Sequence, residues 1–111
     1  MKTSDTFQED ARYRVLRLIQ DQPKISQRQM AKELGISLGG VNYCLKGLIE
    51  KGLVKIKNVR ESDDRRKYAY LLTPKGVGEK AGLTARFLSR RMREYEALQA
   101  EIEAMTAERE G

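Results

Sequence analysis

The sequence holds no histidine and no tryptophan, and only one cysteine and two prolines among its 111 residues. Without histidine, the usual proton acceptor for a serine or cysteine nucleophile is missing, and so is the commonest metal ligand. One cysteine cannot close an internal disulfide, and alone it cannot build a Cys/His zinc cluster. These absences predict a reducing, cytoplasmic setting, no metal and no cofactor. No apolar run approaches the ~18 residues needed to span a membrane. The opening MKTSDTFQED is too polar for a signal peptide, so no membrane partner is expected.

Charge is plentiful but uneven. Lys and Arg number 22 against 16 Asp and Glu, a net of +6. Residues 1–93 carry 21 basic and 10 acidic side chains, or +11, whereas residues 94–111 carry one basic and six acidic, or −5. A basic body attracts polyanions, nucleic acid foremost, although the same charge also serves a simply solvated surface.

Residues 35–39 read GISLG, the Gly-x-Ser-x-Gly pattern of a hydrolase nucleophile elbow. Such an elbow needs a strand before its serine and a base beside it. Here the preceding QRQMAKEL has helical character, there is no histidine, and nothing marks a buried lysine for a Ser-Lys dyad. The chain is therefore read as no enzyme. Gly35 turns the chain and Ser37 caps the next helix. Gly39 and Gly40 follow in that helix's first turns, where glycine is unfavourable unless something approaches the backbone closely. Packing against another helix suits Gly40 and Gly47, nearer the apolar stripe, while Gly39 points to the open face.

The remaining pattern is mainly α with one small β-hairpin. Thr6 and Glu9 have capping-box spacing, so a first helix is expected from about Phe7, with Ala11, Val15, Leu18 and Ile19 facing inward, ending before Pro23. Ser26 and Gln29 form a second capping box for a helix through Leu34, with Met30, Ala31 and Leu34 inward. A third helix runs from Ser37 to about Lys51. Leu38, Val41, Leu45 and Leu48 line one face beside Ile49, and Gly52 ends it. Leu53, Val54 and Ile56 begin one strand and Tyr68 to Leu72 form another, with the polar NVRESDDRRK read as the loop between them. Thr73-Pro74 then opens a helix with no clear stop before about Ala107. Gly76, Gly78 and Gly82 weaken its start.

Helix, glycine turn, helix and charged hairpin is the order of a helix-turn-helix with a wing. The stretch QRQMAKELGISLGGVNYCLKGLIEKGLV resembles the helix-turn-helix of MarR-type winged-helix transcriptional regulators. DRRKYAYLLTPKG resembles that family's wing signature, an Asp-Arg-Arg run, a strand ending Leu-Thr and a glycine after two more residues. Together they cover residues 26–76. The wording VNYCLKGLIEKG, the small size and the long final helix are similar to the EPS-associated subgroup, linked by name to exopolysaccharide biosynthesis. The resemblance implies a winged helix-turn-helix DNA-binding domain over residues 1–76 and a C-terminal helix over 77–111. Members of the wider family have extra N-terminal helices that build the dimer and frame an effector pocket. Here the dimer role moves to the C-terminal helix, and a small-molecule effector is left open.

The resemblance makes residues 37–50 the recognition helix, lying in the major groove of double-stranded DNA. Its expected contacts are Ser37, Gly39, Asn42, Tyr43 and Lys46; Asn can pair with adenine and Lys with guanine or phosphate. Ser26, Gln27 and Arg28, at a helix start, suit phosphate contacts, with plain capping the alternative for Ser26 and Ser37. In the wing, Asp63 or Asp64 would brace the loop while Arg65 or Arg66 enters the minor groove, flanked by Arg60 and Lys67. Cys44 flanks the recognition helix's apolar stripe, either as a packed thiol or as an oxidant sensor.

In the final helix Leu88, Tyr95 and Ile102 take heptad a positions and Leu98 and Met105 take d positions, with Arg91 breaking one d. This predicts a homodimer through that helix. Arg86, Arg90, Arg91 and Arg93 precede an acidic end, so antiparallel pairing would oppose unlike charges. The helix folding back on its own body is the alternative. The functional expectation is a sequence-specific regulator of transcription. Its rivals are a winged-helix protein-interaction module and a non-specific architectural DNA binder.

Overall fold

No proline or glycine occurs before Pro23, and the first helix, α1, runs over Lys2–Asp21 of that stretch. The computed structural model describes the backbone of residues 2–60 and 66–111 and the side chains of residues 8–57 and 68–111. The expected start near Phe7 is therefore too late. A Thr and a Glu three apart suit a helix interior as well as a cap, and residues 2–6 contain nothing that stops a helix.

Three later helices start where their caps predict. Before α2 (Gln27–Leu34), Ser26 Oγ accepts a hydrogen bond from the Gln29 amide at 3.1 Å. Gly35, at φ +68°, ends that helix in the left-handed region. Before α3 (Leu38–Glu50), Ser37 Oγ accepts from the Gly40 amide at 2.9 Å. Before α4 (Pro74–Glu110), Thr73 Oγ1 accepts from the Gly76 amide at 3.0 Å, with Pro74 at the first helical position.

Between α3 and α4, β1 (Val54–Arg60) pairs antiparallel with β2 (Arg66–Leu72), Val54 opposite Leu72 and Arg60 opposite Arg66. The strands thus extend through Asn58–Arg60 and Arg66–Lys67, which the sequence reading gave to the loop. Ladder pairing is made by backbone groups, so polar residues continue it once the register is set.

The core gathers Val15, Leu16 and Ile19 of α1, Met30 of α2, Val41, Leu45 and Leu48 of α3, Leu53, Val54 and Tyr70 of the hairpin, and Leu83 of α4. Two details differ from the expected faces. Leu16, absent from the expected stripe, is fully buried, whereas Leu38, the first residue of α3, is 45% exposed. The hairpin is tied to the helices by backbone bonds. The Tyr70 amide donates to the Pro23 carbonyl at 2.9 Å, and the Thr73 amide donates to the Leu53 carbonyl at 3.0 Å.

The helix α4 has two halves. Its first half packs on α1: Tyr13 and Phe87 stack with ring centroids 4.7 Å apart. Arg90 bridges Glu9, at 3.1 Å, and Asp10. Arg86 reaches Glu9 at 3.3 Å. From Arg91 to the end every residue is exposed.

Candidate nucleic-acid interface

The outer face of α3 is set by its inner one. Val41, Leu45 and Leu48 are buried, which turns Asn42, Tyr43 and Lys46 outward at helical spacing. Tyr43 is 82% exposed, the extreme among the exposed large apolar residues. Tyr43 and Lys46 form no hydrogen bond or ion pair among the described residues, so both are free to contact a ligand.

Gly39 opens onto space: a Cβ there would have only the Ser37 Oγ near it, at 4.0 Å. That matches a backbone left bare on the outer face. The packing suggested for Gly40 and Gly47 is not found. Gly40 is tight only against its own cap, Ser37 Oγ at 3.1 Å, and Ile36 at 3.8 Å, while Gly47 has nothing within 4 Å.

Ser37 and Ser26 are both exposed and both cap their helices. An accepting hydroxyl retains its own proton, so each can still donate to an anion. Arg28 is exposed.

Gln27, expected as a phosphate contact, has side-chain partners within the chain. It is half-buried, its Nε2 donates to Tyr70 Oη at 3.1 Å, and its Oε1 accepts from Asn42 Nδ2 at 3.4 Å. Both polar atoms of the amide thus have partners within the chain, one part-buried and one exposed. Neither bond is readable from local sequence, because the partners lie far along the chain.

In the wing, the strand register places Arg60 opposite Arg66 and Val59 opposite Lys67. Asp63, Asp64 and Arg65 lie outside the described residues, as do the side chains of Arg60, Arg66 and Lys67. Lys55 and Lys57, outside the expected wing set, are both exposed on β1. Their alternation with Val54 and Ile56 is the period-two signal that could have found them.

Cys44 is half-buried beside the core. Burial pushes its thiol up, against weaker lowering by Arg12 and Lys51. A raised thiol holds less thiolate, which favours the packed reading over the oxidant sensor.

Along α4, Leu88, Tyr95, Leu98, Ile102 and Met105 are all more than half exposed, and Met92 nearly so. Met92 was missed: a strict heptad puts Arg91 at that d position. The arginines cited for antiparallel pairing are largely engaged within the chain. Arg86 and Arg90 hold α1 carboxylates, while Arg91 bonds Glu94 at 3.1 Å and lies 5.0 Å from the Phe87 ring centroid.

A family of winged helix-turn-helix DNA-binding sequences matches residues 8–55. No curated protein matches the chain. Among solved structures, a MarR/EmrR family transcriptional regulator from Acinetobacter sp. ADP1 superposes with a TM-score of 0.65 and 22% identity, over 78% of this chain and 59% of that one. The adhesin competence repressor of Streptococcus pyogenes gives 0.62 and 21%, over 79% and 63%. A cysteine-to-serine mutant of MarR from E. coli, complexed with operator DNA, gives 0.52 and 26%, over 66% and 51%. The chain therefore spans between half and two thirds of the length of these regulators. It carries a winged helix-turn-helix domain with the fold of MarR-type structures.

Proposed function

We propose that this protein is a MarR-type transcriptional regulator that binds double-stranded DNA as a homodimer. The observation that carries the proposal is the outer face of α3. A cation, an amide and an unpaired tyrosine sit at helical spacing on a helix whose opposite side is locked into the core. An α-helix fits the major groove, where an amide and an ammonium can read base edges. Ser26, Ser37 and Arg28 border that helix and suit phosphates. The wing, with Arg60, Asp64, Arg65, Arg66 and Lys67, is assigned to the flanking minor groove, and Lys55 and Lys57 add to its charge.

The exposed stripe Leu88, Met92, Tyr95, Leu98, Ile102 and Met105 is assigned to the partner subunit. So continuous an apolar face in water favours association. Antiparallel pairing is retained, because it keeps the acidic ends of two copies apart. Two-fold symmetry gives half-sites about 10–10.5 bp apart, or a multiple. The protein acts in the cytoplasm; among the described residues no helix is long and apolar enough to cross a membrane. The exopolysaccharide target is carried by the resemblance of VNYCLKGLIEKG alone.

Selection of bound duplexes from a random pool, at about 0.15 M salt where specific and non-specific binding separate, tests this reading. An enriched inverted repeat is expected, and its sequence would locate the regulated genes. Retention without enrichment would replace the reading with architectural binding. No retention would replace it with a protein-interaction role.

A further inference from the structure

Tyr70, Gln27 and Asn42 come from three separate elements, β2, α2 and α3, and their polar ends meet in one line. Tyr70 is buried, with its amide fixed to the Pro23 carbonyl at 2.9 Å, so its hydroxyl stands on a rigid base. A buried tyrosine hydroxyl needs a partner, and the Gln27 amide supplies one at 3.1 Å. The Gln27 backbone is itself held at the capped start of α2. Its far end meets the Asn42 amide at 3.4 Å. Asn42 is the only exposed member of the three.

We propose that Gln27 and Tyr70 are positioning residues that set the plane of the Asn42 amide for reading one base. The inference rests on the DNA-binding function proposed above and adds the residues that determine specificity at one position. An asparagine amide has two Nδ2 protons and one Oδ1 acceptor. One proton faces Gln27. The second proton and Oδ1 stay available, and together they match N7 and the N6 amino group of adenine. A freely rotating asparagine presents that donor–acceptor pair in many orientations. An amide held from behind by Gln27 presents it in one, and the reading of adenine gains because less rotational freedom is lost on binding. The wing strand thereby takes part in base recognition through Gln27, at a distance from any contact of its own with DNA.

The test is the random-pool selection run in parallel on the full chain and on Asn42→Ala, Gln27→Leu and Tyr70→Phe, scored position by position. In the wild type one position per half-site should prefer adenine, and Asn42→Ala should abolish that preference. Gln27→Leu and Tyr70→Phe should weaken it at the same position by about fivefold or more, within the range of one bidentate base contact. The other positions and the affinity for random duplex should stay unchanged. Tyr70→Phe removes a single oxygen and keeps the buried ring. Gln27→Leu alters the half-buried middle member of the line, on a different element from Tyr70, so one variant remains informative if the other unfolds.

Full adenine preference in both variants, alongside its loss in Asn42→Ala, would overturn the positioning role and leave DNA reading intact. A loss spread evenly over all positions would also overturn it, since that is the mark of a general structural defect. A wild-type pool with no enriched sequence would overturn the DNA-reading function, and this inference with it.

Discussion

Gly76, in the first turn of α4, lies directly over the backbone of Leu53. A Cβ built on Gly76 would come within 2.9 Å of the Leu53 carbonyl carbon and closer still to its oxygen. That oxygen also accepts the Thr73 amide, and Thr73 Oγ1 donates to the Gly52 carbonyl at 2.6 Å. The end of α3, the hairpin and the start of α4 are thus joined at one point where no side chain fits. The sequence reading took Gly76 as a weakness in the helix; its place in the fold is close approach.

The sign of a glycine substitution tests this. Helix propensity alone predicts that Gly76→Ala stabilises the protein by up to ~1 kcal/mol. The Leu53 contact predicts the opposite, a loss of ~1–3 kcal/mol from overpacking. Gly78, with nothing within 4 Å, is the control. Gly78→Ala should raise the urea midpoint while Gly76→Ala lowers it.

Ser37 should behave as a cap. Ser37→Ala should cost about 1 kcal/mol in thermal or urea unfolding. Ser37→Asp should keep that stability, because a carboxylate caps as well as a hydroxyl. The same Asp should weaken DNA binding by placing a negative charge where a phosphate is expected. Equal DNA affinity for Ser37→Asp and the wild type would remove Ser37 from the interface.

Leu98 and Ile102 are exposed on the free half of α4. Changing both to Glu should convert a dimeric mass to a monomeric one by light scattering, with the winged domain still folded. A mass that stays dimeric would take the partner contact away from this helix.

Glu9 supplies a pH signature for the α1–α4 junction. Partial burial raises its carboxyl, but hydrogen bonds from Arg90 and Arg86 and their charge outweigh that, and the net shift is downward. A depressed carboxylate contributes stability above its unfolded pKa and loses it as pH falls through the folded value. Glu9→Gln should therefore lower stability above about pH 5, clear of the ordinary glutamate value near 4.3. The gap from the wild type should close as the solution is acidified below that value. Its size should be under about 1 kcal/mol, because these side chains keep contact with solvent. A gap independent of pH would show that the ion pairs do not hold the junction.

The legible parts of this fold were those written locally. Ser26, Ser37 and Thr73 each cap an amide three residues on, and Gly35 stops a helix by its own backbone freedom, so α2, α3 and the start of α4 follow from short strings. The extent of α1 did not follow, since Thr6 and Glu9 have the same spacing inside a helix as at its edge. The strand ends were hidden because Asn58 and Lys67 pair through backbone atoms their side chains do not reveal. Met92 escaped a strict seven-residue repeat because an α-helix of 3.6 residues per turn drifts against it. At the site, the outward set Asn42, Tyr43 and Lys46 was readable from the buried stripe opposite. The bond from Gln27 to Tyr70 was not, because only the folded chain brings them together.

Reading of duplex DNA by the outer face of α3 is the proposal on which the others depend. The most direct measurement is equilibrium binding, by fluorescence anisotropy, of the wild type and Lys46→Ala to a selected duplex and to a scrambled one across a salt series. The wild type should bind the selected duplex at least ~10³-fold more tightly at physiological salt, and the affinity should fall linearly on a log–log plot as salt rises. Lys46→Ala should weaken binding to the selected duplex. Equal affinity for the two duplexes, or a Lys46→Ala variant indistinguishable from the wild type at every salt concentration, would contradict it.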